Sequence, residues 1–167
     1  MQELYIVRHG PAVNIGEQGV TSDVDRMLSE EGRDKTEKAA RGFATLDCTP
    51  DSIISSPLIR ARETAEIFAA CLGNGNVVEL SDELCAGAVT EMSIRWLGQQ
   101  VGDRVMLVGH MPQVADWVSN LVTGYAHTCI QFKKAAVCKM SFDGNVARGE
   151  ARLDWLMQPA ELRALAP

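Results

Sequence analysis

The stretch Leu4-Tyr5-Ile6-Val7-Arg8-His9-Gly10-Pro11 constrains this chain more than any other. Four apolar residues, Ile and Val among them, specify a short buried β-strand. A run this short could also be a helix fragment, but Gly10-Pro11 stops it at once. Arg8 and His9 are thereby presented where the chain changes direction. In open α/β sheets the carboxyl ends of the strands are where ligands bind. A guanidinium beside an imidazole suits a phosphate: the first holds two oxygens together, and the second attacks phosphorus or donates a hydrogen bond. Three residues are a weak signal by themselves, so the rest of the chain has to supply the other parts.

The length of 167 residues, 46% of them hydrophobic, fits a single domain over residues 1–167 with a substantial core. A net charge of −6 argues against nucleic acid as a partner, since such proteins carry a basic footprint. Anion binding must then come from a local cluster of positive charge. Cys48, Cys71, Cys85, Cys129 and Cys138 form no C-x-x-C pair and read as reduced, mostly buried thiols. The apolar run at the start is far shorter than a signal-peptide core, and no run approaches bilayer length. These features lead us to expect a soluble cytoplasmic domain without membrane contact.

A polar loop from Asn14 to Ser29 follows the first strand and contains Asp23, Asp25 and Arg26. Irregular segments of this length are often functional, and Arg26 could fold back over the strand end. Ser29 with Glu30 and Glu31 marks a helix start, and Thr36, Ala39, Ala40, Phe43 and Leu46 keep helical spacing. Ser52 to Ser55 reads as a second strand. Ser56-Pro57 then predicts a helix with Ser56 as N-cap and Pro57 first inside, its buried face Ala61, Ala65, Phe68 and Leu72. Arg60 and Arg62 fall in its opening turns. Arg62 reads as a surface residue paired with a glutamate, whereas Arg60 is the better site candidate.

Val77 to Leu80 predicts a third strand, with Asp82 and Glu83 in the loop after it. Thr90 caps a helix carrying Met92, Trp96 and Leu97. Val105-Met106-Leu107-Val108-Gly109-His110 repeats the opening pattern, and its continuity indicates burial on both faces, as in a parallel sheet. Pro112 opens the next helix and Gly124 closes it. Alternation at 136–142 and 151–157 around Asp143-Gly144 predicts a β-hairpin at one side of the sheet. His127 falls in the loop before it, with a surface role as its default. Pro159 to Leu165 suits a short terminal helix.

Arg8, His9, Arg60 and His110 would converge if their strands are neighbours. Two arginines balance the oxygens of a phosphoryl group while one imidazole attacks in line. There is no H-E-x-x-H, no Cys-rich metal spacing, no P-loop and no G-x-S-x-G elbow.

Arg8-His9-Gly10, Ser55-Ser56-Pro57-Leu58-Ile59-Arg60-Ala61-Arg62-Glu63-Thr64 and Val108-Gly109-His110 resemble, in order, the three motifs of the histidine phosphatase superfamily. Asp25-Arg26-Met27-Leu28-Ser29, Phe132-Lys133-Lys134-Ala135 and Leu153-Asp154-Trp155-Leu156 add similarity to its small SixA-type phosphohistidine phosphatases. The resemblance implies a phosphoglycerate mutase-like fold: a three-layer α/β/α sandwich with a mixed, mostly parallel sheet and a C-terminal β-hairpin. It implies that His9 is the nucleophile, that Arg8, Arg60 and His110 complete the phosphate pocket, and that Arg26 reaches in from the loop. Glu83 falls where larger relatives carry a proton donor. No metal or other cofactor is implied. Pro11 and Met27 depart from the family pattern, which bears on substrate contacts rather than on the chemistry.

The leading expectation is removal of phosphate from a phosphohistidine on a partner protein, such as a histidine-containing phosphotransfer domain. The alternatives are a phosphatase of a small phosphate ester and, in another class, a non-catalytic phosphate-binding module. The intact pair His9 and His110 weighs against the last.

Overall fold

Both long apolar runs become central strands of one sheet. The computed structural model describes residues 2–100, 103–126 and 130–167; His127 and Cys129 lie outside them. In chain order the elements are β1 (Gln2–Arg8), α1 (Glu30–Ala44), β2 (Ser52–Ser55), α2 (Ile59–Leu72), β3 (Val78–Leu80), a 3₁₀ turn (Asp82–Leu84), α3 (Glu91–Leu97), β4 (Arg104–Gly109), α4 (Gln113–Thr123), β5 (Val137–Phe142), β6 (Arg152–Met157) and α5 (Pro159–Leu165). The strand order is β3-β2-β4-β1-β5-β6. The first four are mutually parallel, while β5 runs antiparallel to β1 and β6 antiparallel to β5.

Helices cover both faces, which is why Leu4–Val7 and Val105–Val108 are apolar without alternation. Leu4, Ile6 and Leu107 pack with Ile94 and Leu97 of α3 and Trp117, Val118 and Leu121 of α4. Tyr5, Val7, Met106 and Val108 pack on the other face with Phe43 of α1, Phe68 of α2 and Leu162 of α5. The three-layer sandwich with its mixed sheet is the one expected. The helix signals hold at several ends: Ser29 Oγ accepts from Gly32 N at 3.0 Å, Thr90 and Ser93 form a capping box, and Gly73 and Gly124 close α2 and α4 in the left-handed conformation.

Two expectations need correction. First, α2 begins at Ile59 with Leu58 as an N-cap that makes no side-chain bond, not at Ser56-Pro57. The Ser56 hydroxyl accepts from Leu58 N at 3.3 Å, ahead of the first helical residue, and lies 2.9 Å from His110 Nε2. Second, the hairpin is real, but its strands are joined by residues 143–151 rather than by a tight turn at Asp143-Gly144. A register shift between Lys139 and Met140 pairs them with Trp155 and Leu153. An irregularity of this kind re-aims side chains. Trp155 and Met157 reach the core, and Leu153 remains 42% exposed.

Candidate active site

Strand register brings the three sequence motifs to one rim. Arg8 of β1 lies opposite Gly109 of β4, and Val108 lies opposite Ser55 of β2. One residue further on, His9 N donates to Gly109 O at 3.0 Å and Ser56 N to Val108 O at 3.0 Å. His9, Ser56 and His110 therefore leave three adjacent strands side by side. Because β5 is antiparallel to β1, its start reaches the same rim: Arg8 N donates to Ala136 O at 3.2 Å. Gly10 is required beside this junction, since a Cβ there would stand 2.1 Å from Thr36 Oγ1. Its N–H donates to Thr64 Oγ1 at 2.9 Å, and Thr64 Oγ1 donates to Arg60 O at 2.7 Å.

The imidazoles of His9 and His110 lie 5.1 Å apart and are 6% and 3% exposed. His9 Nδ1 is 2.7 Å from Gly10 O. A carbonyl only accepts, so Nδ1 carries the proton and Nε2 keeps its lone pair. His110 Nε2 is 2.9 Å from Ser56 Oγ, and that oxygen accepts from Leu58 N at 3.3 Å. In the tautomer in which Ser56 donates to Nε2, the His110 proton sits on Nδ1. That N–H is buried without a partner among the described residues. Burial, opposed by the Gly10 bond and assisted by the charges of His110, Arg60 and Arg8, pushes the His9 pKa down to about 3. Burial and then Arg60 push His110 down to about 4, against the opposing Asp23. Both rings are neutral at physiological pH, and His9 is ready to act through Nε2.

Two arginines flank them. Arg8 Nη1 donates to Phe132 O at 2.6 Å. Arg60, 5% exposed, donates from Nη1 to Asp23 O at 2.7 Å and from Nη2 to Asp23 Oδ2 at 2.9 Å. Each guanidinium is held at its far end, and each Nε–H is buried without a partner among the described residues. Such groups cost free energy unless a ligand satisfies them. The two Nε–H groups and His110 Nδ1–H are a donor set suited to an anion.

Arg26, expected to reach in from the loop, instead meets Val13 and Asp23. Its Nε donates to Val13 O at 2.8 Å, and Nη1 pairs with Asp23 Oδ1 at 3.1 Å. Asp23 bridges Arg26 and Arg60; burial opposes its charge, but the bonds from both arginines hold its carboxyl below the usual range. The loop is fixed to α2, because Leu28 N donates to Glu63 Oε2 at 2.7 Å and Arg33 pairs with Oε1 at 2.7 Å. Pro11 and Met27 contribute backbone here, with Pro11 O accepting from Ser29 N and Met27 O from Val13 N. Arg62 pairs with Glu66 on the surface, as expected. Glu83 lies in the 3₁₀ turn with an exposed side chain, and Gln113 Nε2 donates to its carbonyl at 2.9 Å.

Sequence reasoning missed the contacts of Asp23, Ser56, Thr64 and Gln113. Ser56 and Thr64 stood inside stretches already singled out, and Asp23 stood in the loop with Arg26. Gln113 had no signal beyond its place at a helix start. Among the described residues no group of three or more His, Cys, Asp or Glu could hold a metal ion, and no helix is long and apolar enough to cross a membrane. Cys48, Cys71, Cys85 and Cys138 are free thiols, and burial pushes Cys138 up to about 12.

A sequence profile of the histidine phosphatase superfamily (branch 1) matches residues 4–105. The chain belongs to that superfamily. It is 26% identical over 164 residues to the phosphohistidine phosphatase SixA of Escherichia coli K12, covering 96% of each chain. A solved structure of the protein histidine phosphatase SixA complexed with tungstate superposes with a TM-score of 0.81 at 26% identity, covering 96% of this chain and 99% of that one. An uncharacterized protein of Picosynechococcus is 32% identical over 155 residues, 91% of each chain. The chain is a phosphatase of the histidine phosphatase superfamily, similar to SixA.

Two expected results concern this phosphatase's imidazoles. Ser56→Ala removes the donor that fixes the His110 tautomer. It should lower kcat/KM on the order of ten- to hundred-fold, the scale of a buried group left without its partner, while the fold persists. Unchanged kcat/KM would remove Ser56 from the site. The second result follows from the depressed histidine values. Folded-state pKa values of about 3 and 4 lie below the ordinary 6.5. As pH falls below 6.5 the unfolded chain therefore takes up protons that the folded chain refuses. Stability is unaffected above that point and declines from about 6.5 toward 4. The fall of Tm over this window should be shallower in His9→Ala; an equal slope would assign the acid sensitivity to other groups.

Proposed function

We propose that this phosphatase removes the phosphoryl group from a phosphorylated histidine on a partner protein through a covalent phosphohistidine at His9. In the first step the His9 Nε2 lone pair attacks phosphorus in line. The N–P bond of the substrate breaks, and its electron pair returns to the leaving imidazole, which already carries a proton on its other nitrogen and departs neutral. His9 becomes a phosphorylated imidazolium whose Nδ1–H stays bonded to Gly10 O. Water then attacks phosphorus, the His9–P bond breaks, and orthophosphate leaves with the proton from water. Arg8, Arg60 and His110 hold the equatorial oxygens throughout.

The observation that carries the choice of phosphohistidine over an ester is the state of the carboxylates. Asp23 is engaged by two arginines, and the Glu83 side chain is exposed, with no hydrogen bond among the described residues. A leaving imidazole needs no fixed proton donor, whereas an alkoxide does. The similarity to SixA supports the same choice.

The test offers the enzyme a ³²P-phosphohistidine phosphotransfer protein beside a panel of small phosphomonoesters, with EDTA throughout. The expected result is release from histidine at a kcat/KM at least roughly a hundred-fold above any ester. Chelation should have no effect, because arginines supply the positive charge. Faster turnover of one small ester would overturn the reading.

A further inference from the structure

Positive charge at the rim exceeds what a phosphoryl group neutralises. Arg8 and Arg60 match the two charges of a phosphoryl dianion. Arg26 is paired with Asp23 at 3.1 Å, and both imidazoles are neutral. Lys134 is left over.

Its placement is built rather than incidental. The turn at 132–135 is fastened to the nucleophile's own backbone: Ala135 N donates to Arg8 O at 3.0 Å and is 3.2 Å from His9 O. Ala135 adopts a φ of 67° to do so, a conformation L-residues seldom take. Phe132 O holds the Arg8 guanidinium from the same turn. Lys134 sits between these two anchors. Its neighbour Lys133 is exposed, but Lys134 is partly buried and makes no ion pair among the described residues. It stands between Ala135, whose N–H meets Arg8 O, and Phe132, whose carbonyl holds the Arg8 guanidinium, and burial, then Arg8, then Arg26 lower its pKa.

We propose that Lys134 is a specificity-determining residue that forms a second anion subsite beside the phosphoryl site, for a carboxylate or phosphate carried by the same substrate. The inference rests on the phosphoryl group lying between Arg8 and Arg60, as above, but not on the substrate being phosphohistidine. The same chemistry is offered by an acidic side chain next to a phosphorylated residue and by a phosphorylated small acid.

The test compares binding of methyl phosphate with binding of phosphoglycolate, which adds one carboxylate, by calorimetric titration of the intact protein. The wild type should bind phosphoglycolate at least about five-fold tighter, the scale of one charge-assisted contact. Lys134→Gln should abolish that ratio while leaving methyl phosphate affinity within about two-fold, and Lys134→Arg should restore it. A parallel pair of phosphohistidine peptides, with and without a neighbouring aspartate, distinguishes the sources: discrimination confined to the peptides assigns the subsite to a protein partner, and discrimination confined to phosphoglycolate assigns it to a small acid. Equal weakening of methyl phosphate and phosphoglycolate would make Lys134 a phosphoryl ligand and overturn the proposal. No change in either would make it a surface lysine and overturn it too. Wild type that binds neither phosphate would remove the phosphoryl site and the subsite with it. Slow turnover of phosphohistidine with the binding ratio intact would overturn only the substrate assigned above.

Discussion

His9→Ala should leave a folded protein with turnover reduced on the order of 10⁴-fold or more, the scale seen when a covalent nucleophile is removed. The argument starts from the tautomer. Gly10 O at 2.7 Å holds the proton on Nδ1, and burial keeps the ring neutral, so Nε2 is the free nucleophilic atom. His110 cannot replace it, because Ser56 occupies its Nε2 and its Nδ1 carries the proton. Quenching the wild type with denaturant during turnover should trap acid-labile, alkali-stable phosphate on the protein. The alanine variant should show neither label nor turnover. Its fold should survive, since among the described residues the one side-chain hydrogen bond lost is to the adjacent carbonyl, and far-UV circular dichroism checks this. Turnover near the wild-type level in the folded variant would show that His9 is not the nucleophile.

Much of this site was legible because it hangs on strand ends. Continuous apolar runs at Leu4–Val7 and Val105–Val108 can only be strands buried on both faces, and Gly after each fixes where Arg8, His9 and His110 emerge. Parallel pairing of β1, β4 and β2 at matched register, which the sequence could only assume, then makes them neighbours. The α2 start was misplaced for an equally physical reason. Ser followed by Pro is a sound capping signal, but Ser56 Oγ is shared between Leu58 N and a histidine from another strand, and regular helix begins only at Ile59. Local sequence cannot report that competition. Nor could it report that Asp23 lies between Arg26 and Arg60, which depends on how the loop closes. That closure rests on contacts distant in sequence: a bridge between Ala12 and Leu28 and the Glu63 carboxylate on Leu28 N. The alternation of Ala151, Leu153, Trp155 and Met157 did not report the register shift in β5–β6, past which Leu153 stays exposed.

The arginines show why the loop and the helix must be considered together. Asp23 takes the Nη1 and Nη2 ends of Arg60 and leaves Nε, while Phe132 O takes Nη1 of Arg8 and leaves its Nε. The loop therefore orients the helix-borne guanidinium, and Glu63, in the turn of α2 after Arg60, orients the loop in return. Arg26 pairs with the other oxygen of Asp23, Oδ1, while Arg60 takes Oδ2.

Glu83→Gln should separate the two kinds of leaving group. An alkoxide is strongly basic, and a general acid typically accelerates its departure by roughly 10²- to 10⁴-fold. A protonated phosphohistidine releases a neutral imidazole and gains little from such an acid. The exposed Glu83 side chain is tied to the rim only through its backbone, by Gln113 Nε2 on its carbonyl and Ser81 Oγ at its N–H. Its carboxylate is exposed and makes no hydrogen bond among the described residues, so the site holds no fixed proton donor there, and any help to an ester comes from a side chain free in solvent. The expected result is therefore little change in phosphohistidine hydrolysis, within about two-fold, alongside a loss approaching 10²-fold in any side activity on alkyl phosphates. Single-turnover rates on both substrates measure this, since they report the first bond cleavage before product release. Little change on either substrate would make Glu83 a solvated carboxylate with no part in the reaction. Equal, large losses on both would make it a general acid throughout, and the enzyme would then belong with phosphatases of small esters.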